Sequence, residues 1–280
     1  MKFERAASSN DDSGFTLIEL LVVVAVIVLM TSLAIPAFNA IRGGTDFTTE
    51  VYDIAGTLDQ ARSYAMANNT YVLAGIAEVS AALDSSASPQ LSGTGRIAMA
   101  IVASKTGTRP YQSLITTNSL GNWQTSAYNT SAFLAVTKIL VLPNLHLVDL
   151  QNSSSMPPQP GSTTPPPGMA RPAVDMSYNL SSASGTSNTQ FAWPLGTIPN
   201  ASNAQYTFAR VIEFDPQGCA RVISSPSTYP DAVPGYIEIG LQPAHGTIAA
   251  GSPSSQSINP GQIAAIQING ISGANLTYRP

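Results

Sequence analysis

The sequence predicts an α+β protein: a long N-terminal helix, membrane-spanning in its first half, packed through its second half on an antiparallel β-sheet or β-sandwich. Three observations predict it. Residues 15–38 form an almost unbroken apolar run. Residues 51–65 repeat apolar side chains every three or four positions, the period of a helix with one buried face. The rest of the chain alternates short runs of β-favouring residues with Gly, Pro, Asn, Asp and Ser turns.

The apolar run comes first. Between Phe15 and Phe38 only Thr16, Glu19, Thr31 and Ser32 are polar. Those 24 residues, as a helix rising about 1.5 Å each, span roughly 36 Å against a hydrocarbon core of about 30 Å. A buried globular helix keeps a polar face, and Leu20–Met30 has none. A secretory signal peptide has an apolar stretch of about 7–15 residues and then a small-residue cleavage site. This run is longer and continues past Pro36 into more helical sequence. A retained membrane anchor fits. Residues 1–13 hold Lys2 and Arg5 but also Glu4, Asp11 and Asp12, so charge gives little orientation. The long Ser/Thr-rich remainder reads as an exported domain, with the short leader left in the cytoplasm.

Glu19 is the anomaly in this run. An acid at the centre of a membrane helix costs about 2.5–3.5 kcal/mol, less near an end. A plain anchor gains nothing from it. A positive partner inside an assembly would neutralise it, and a free α-amino group created by cleavage at Gly14 is such a partner.

The stretch "GFTLIELLVVVAVI", with Pro36 downstream, resembles the class III signal of type IV pilins and type II secretion pseudopilins. The resemblance implies cleavage after Gly14 by a prepilin peptidase and methylation of the new terminus, Phe15. It implies that Glu19 pairs with the terminal amine of a neighbouring subunit. It also places Pro36 near the end of the membrane segment, where a proline bends or loosens a helix. The implied partners are prepilin peptidase, other pilin subunits and the inner membrane.

Past the anchor, Gly43 and Gly44 weaken the helix by about 1 kcal/mol each relative to Ala. The stripe Val51, Ile54, Ala55, Leu58, Ala61, Ala65 then resumes it, and Asn68-Asn69 marks its end. The chain thus reads as a leader (1–14), a transmembrane and assembly helix (15–38), its amphipathic continuation (39–69) and a β-rich domain (70–280). Within that domain strands are expected at Tyr71–Ile76, Arg96–Val102, Phe133–Leu142 and His146–Leu150. Two more flank the turn Asp215–Gly218 inside residues 206–223, another lies in "GYIEIGLQP", and a closing hairpin turns at Ile271-Ser272-Gly273. Residues 151–172 carry seven prolines and no hydrophobic period, so they read as a surface insertion. "LDQARSYAMANNTYV" and "IEFDPQG" are similar to the minor pseudopilin H group. The tail "IAAIQINGISGANLTYRP" is similar to a pilin-like group called Verru_Chthon cassette protein D.

Composition narrows the function. Charged residues make up 10% of the chain and the net charge is −4, so no basic stripe exists for nucleic acid. A single cysteine, Cys219, excludes an internal disulfide and reads as a small buried apolar residue. His146 and His245 stand in no metal-ligand frame, and Asp84, Asp215 and Asp231 are isolated, so no metal or other cofactor is expected. "SGTGR" at 92–96 lacks the context of a phosphate loop, and no G-x-S-x-G elbow occurs. Trp123, Tyr128 and Trp193 fall in expected loops and read as packing residues or as a sugar platform. The sequence therefore reads as a non-enzymatic, minor pilin-like subunit of a secretion pseudopilus or a type IV pilus. The alternative is a pilin-anchored periplasmic or surface module that binds a glycan or another ligand.

Overall fold

A computed structural model describes residues 17–109, 133–150, 171–172, 174, 178–181, 191–196, 203–223, 232–244 and 262–279; for residues 32–45 it describes the backbone only. The chain divides into two compact units, Met1–Thr45 and Asp46–Pro280.

One α-helix, α1, runs Leu17–Ala67, and its backbone stays helical through Gly43 and Gly44. Within the second unit its apolar stripe is buried as the spacing predicts: Val51, Ile54, Leu58, Ala61 and Ala65 are all at most 1% exposed. The helix stops at the Asn pair for a local reason. Asn69 takes a left-handed φ of 48°, Thr70 N–H returns to Ala65 C=O at 3.1 Å and Asn68 N–H to Tyr64 C=O at 3.0 Å. That is a Schellman-type end, which satisfies carbonyls the helix leaves open.

The strands are β1 (Val72–Ser80), β2 (Gly95–Ser104), β3 (Phe133–Ala135), β4 (Leu140–Leu147), β5 (Phe191–Trp193), β6 (Tyr206–Phe208), β7 (Arg210–Phe214), β8 (Ala220–Val222), β9 (Tyr236–Pro243), β10 (Ala264–Asn269) and β11 (Asn275–Tyr278). Nine form one sheet in the order β11-β10-β9-β4-β2-β1-β7-β8, with β3 paired to the far end of β2. Its paired strands are all antiparallel. β5 and β6 form a separate two-stranded ribbon. The antiparallel sheet matches expectation; in place of a second sandwich sheet, the described residues show this ribbon.

Alternation along the strands separates two cores. Val72, Ala74 and Ile76 of β1, Ile97, Met99 and Ile101 of β2, and Ile237, Ile239 and Leu241 of β9 pack with α1 in one cluster. The intervening residues of β1 and β2 face the other way, where Phe133, Phe191, Tyr206 and Phe208 build a second. A third, smaller cluster of Val148, Leu150, Ile263 and Ala265 lies beyond it. We call the α1 side inner and the other outer. Gly75 makes the ribbon's close approach possible: a Cβ there would sit 2.6 Å from Phe191 and 2.8 Å from Phe208.

Beyond longer β1 and β2, the strands depart from the sequence expectation in three places. Phe133–Leu142 divides, because β3 pairs residues 102–104 of β2 whereas β4 pairs residues 95–99. His146 and Leu147 belong to β4, whose register shifts beside Pro143 and Asn144 (φ 59°), a bulge where proline's missing donor is tolerated. Val148–Leu150 leave the sheet for the third cluster. Residues 206–223 yield three strands, because Tyr206 and Phe208 turn off the sheet to cover its outer face while Arg210–Phe214 stay in it. β5, which carries Trp193, was legible only as loop: three residues are too few to show a period.

Candidate functional site

The residues the sequence marks for function belong to the start of α1. Gly14 and Phe15 lie outside the described residues. Pro36 lies within the helical backbone of α1, its side chain outside them. Glu19 sits in the first helical turn, where the positive end of the helix dipole favours a carboxylate. The apolar side chains around it are uncovered on every side: Leu17 is 84% exposed, Leu20 62%, Val24 50% and Met30 69%. Thr31 spends its hydroxyl on its own helix, donating to Ile27 C=O at 2.9 Å and lying 3.0 Å from Val28 C=O. The surface is thus greasy all round and bears one acid near its beginning. Burying a Val or Leu side chain is worth about 1.5–3 kcal/mol, so such a surface associates with lipid or with other helices. Among the described residues no helix is long and apolar enough to cross a membrane; of the expected span 15–38, side chains are described for Leu17–Thr31 only.

Where α1 enters the second unit its chemistry changes. Asp46, Glu50 and Asp53 follow at four- and three-residue spacing, on one side of the helix. Burial, together with the charges of Asp46 and Asp53, pushes the Glu50 carboxyl up to about 7.

The charged groups of the β-rich unit are engaged in structure. Glu213 is fully buried and accepts from Arg109 Nε at 3.0 Å. Glu238, 1% exposed, takes both Arg171 Nε (2.6 Å) and Nη2 (3.1 Å), and also Gln267 Nε2 at 2.8 Å. His146 Nδ1 meets Glu78 Oε1 at 2.6 Å. Asp215, isolated in sequence, is buried: Oδ1 accepts from the N–H groups of Gln217 and Cys219, and Oδ2 from Arg221 at 2.8 Å. It builds the turn between β7 and β8. Cys219 is half-buried in that turn rather than in the core, and burial and the Asp215 charge push its thiol up, away from the reactive thiolate. Asp84 caps a turn through Ser86. Within "SGTGR", Gly93 lies against Ser80, and Gly95 opens β2 with a φ of +98°. Trp193 packs against the second cluster. Among the described residues no three His, Cys, Asp or Glu side chains gather as a metal site would need. Trp123, Tyr128, Asp231 and His245 lie outside the described residues.

Sequence reading missed the two buried Arg–Glu pairs. Their one signal is a lone glutamate inside an apolar strand, "RVIEF" and "YIEIG", where an acid is affordable only with a partner.

Residues 9–35 match the family model described as the prokaryotic N-terminal methylation motif. The match covers part of the leader and most of the apolar run, and reaches none of the β-rich unit. Nothing among curated proteins or solved structures matches the chain. The chain therefore carries a class III prepilin-type signal at its N-terminus, the kind of signal that prepilin peptidase reads.

Proposed function

We propose that this protein is a minor pilin-like subunit of a type II secretion pseudopilus or a type IV pilus, structural rather than enzymatic. The observation that carries the proposal is the uncovered apolar helix Leu17–Met30 with Glu19 in its first turn, directly within the methylation motif. In this reading the precursor inserts in the inner membrane through residues 15–38 with its β-rich unit in the periplasm. Prepilin peptidase cuts after Gly14 and Phe15 is methylated. Glu19 then accepts the Phe15 amine of a neighbouring subunit as the helices pack into a filament. In low dielectric that pair is sensitive to losing either partner, because the other charge is left uncompensated. In the glycan-binding alternative, Trp193 would have to bind from a partly buried position against the second core.

Two measurements test the proposal together. The intact mass of membrane-extracted protein should begin at a methylated Phe15; a retained Met1 would overturn it. Site-specific cross-linking between adjacent anchors should be strong in the wild type, intermediate in Glu19→Asp and lost in Glu19→Leu, with cleavage normal in all three. Equal cross-linking in the three proteins would refute the role of Glu19.

A further inference from the structure

The chain around β11 meets α1 at three places. Arg279 Nη1 donates to Thr48 Oγ1 at 2.9 Å, and Asn275 Nδ2 donates to Ala55 C=O at 3.0 Å. Gly273 lies against Arg62, where a Cβ would sit 3.0 Å from Cδ. Thr48, Ala55 and Arg62 are spaced seven positions apart, so they share one side of the helix. From Thr48 to Arg62 the helix rises about 21 Å, and from Gly273 to Arg279 an extended chain covers about 20 Å. The strand therefore runs alongside the helix, antiparallel to it and in step with it. Asn275 and Thr277 lie opposite Ile268 and Ile266 in the ladder, and those two face α1. Alternation thus turns Asn275 and Thr277 toward the helix as well.

This seam differs from the rest of the helix's seat. The cluster on the α1 side takes residues from β1, β2, β4, β7, β8, β9 and β10, and none from β11. Across the seam the contacts are polar. The Ala55 carbonyl already serves the helix ladder, and water can replace the Asn275 bond with little net loss. Neither Arg62 nor Arg279 forms an ion pair among the described residues, whereas Arg171 and Arg221 each sit on a carboxylate. Arg62 Nε, Arg279 Nε and Arg279 Nη2 are buried without a hydrogen-bond partner among the described residues, which burdens the closed seam. Arg279 lies 5.4 Å over Phe47 and 5.8 Å over Tyr52, and these rings offset part of that burden. On its other side β11 is an edge strand, laddered to β10 alone among the described strands.

We propose that β11 is a releasable clasp on α1: it lifts from the helix and closes again while the inner core stays packed, and the buried guanidinium nitrogens without partners keep its closed state weak. Because β11 gives no residue to that core, opening breaks polar contacts and one edge ladder and leaves the apolar packing of α1 on the other strands in place. The clasp is the side from which α1 can be reached within a folded unit. This inference is independent of the pilin reading.

Hydrogen exchange of the full processed chain in detergent, read by mass spectrometry, tests it. In the wild type the amides of 275–278 should exchange at least about a hundredfold faster than those of 72–77 in β1, at a rate that low denaturant leaves unchanged. Arg279→Ala removes the Thr48 bond and the ring contacts. It should speed exchange of 275–278 by about tenfold or more, with β1 exchange unchanged and Tm within about 3 °C of the wild type. Arg279→Met keeps a stem over Phe47 and Tyr52 and buries no unpaired donor, so it should slow 275–278 by about threefold or more. Wild-type protection of 275–278 equal to that of β1 would overturn the proposal, since β11 would then open only with the whole fold. So would Arg279→Ala speeding β1 as much as β11, or Arg279→Met exchanging as fast as Arg279→Ala.

Discussion

Two stretches of one helix carry similar residues in opposite situations. Val22, Ile27 and Leu29 are 54%, 54% and 64% exposed, whereas Val51, Ile54 and Leu58 are 0%, 1% and 1% exposed. Both stretches are α-helical and both are apolar. The downstream one is apolar on a single stripe, with Asp53, Asp59 and Gln60 off it, and the inner face of the sheet takes that stripe. The upstream one is apolar on every side, and its described side chains stay largely exposed. The pattern of polar residues, not the amount of apolar surface, separates a helix that completes a fold from one that needs an outside partner.

The largest effect is expected when the upstream stretch cannot be processed. Gly14→Val should put a branched side chain at the cleavage position and leave essentially all of the protein as uncut precursor, with no filament incorporation. Intact mass reads the outcome, and mature protein starting at Phe15 in that variant would contradict it. The folded β-rich unit should be unaffected, with an unchanged near-UV spectrum.

Truncating one leucine in each stretch should have unequal effects. Leu58→Ala removes a fully buried side chain and should cost about 2–5 kcal/mol, or roughly 5–15 °C in Tm. Leu21→Ala, 61% exposed before mutation, should leave Tm of the β-rich unit within about 1 °C. Thermal unfolding of both in the same detergent decides it. An equal loss in the two would mean that both stretches are packed in the same way.

Much of this was legible in the sequence because it is periodic or local. The stripe from Val51 to Ala65, the Asn68-Asn69 stop, the Asp215–Gly218 turn and the closing hairpin each rest on residues within a few positions of one another. What was hidden depends on distant pairing. β1 extends to Ser80 through "AEVS", where Ala77 and Glu78 are poor strand formers, held by nine residues of register with β2. The ribbon β5–β6 joins residues about fifteen positions apart through two three-residue strands. The seats of Arg109 and Arg171 lie more than sixty positions away in sequence, on Glu213 and Glu238. Of the candidate site, Glu19 was legible as an acid in a run that has no other charge; the description of its surroundings had to come from the fold.

A smaller effect is expected where the end of α1 meets the sheet's turns. Gly218 has a φ of +86°, and a Cβ there would sit 2.8 Å from Met66 Sδ. Its N–H closes the turn onto Asp215 C=O at 2.8 Å. Gly218→Ala combines strained backbone with a neighbour that can move, because Met66 is flexible and 39% exposed. A cost of about 1–2 kcal/mol, or roughly 3–6 °C, follows. Adding Met66→Ala should recover part of the loss; no recovery would assign the whole cost to the backbone.

The smallest effect concerns the acids at the start of the downstream stretch. Glu50 titrates near 7 in the folded protein against 4.5 for the free side chain, because of its burial and the charges of Asp46 and Asp53. A raised acid binds its proton more tightly folded than unfolded. Its contribution to stability is therefore full below pH 4.5 and is lost as pH rises through 7. Glu50 remains partly exposed to solvent, which screens much of this. Between pH 8 and pH 5 the wild type should gain about 2 °C from this group, read as the difference from Glu50→Gln, which has no proton to take up. The variant should also be the more stable of the two at pH 8 and nearly equal at pH 5. Asp53→Asn should reproduce the effect in part, since it removes one of the two charges that raise Glu50. Parallel Tm profiles for wild type and Glu50→Gln across that range would show that the three acids do not feel one another, and that the helix enters the β-rich unit without electrostatic cost.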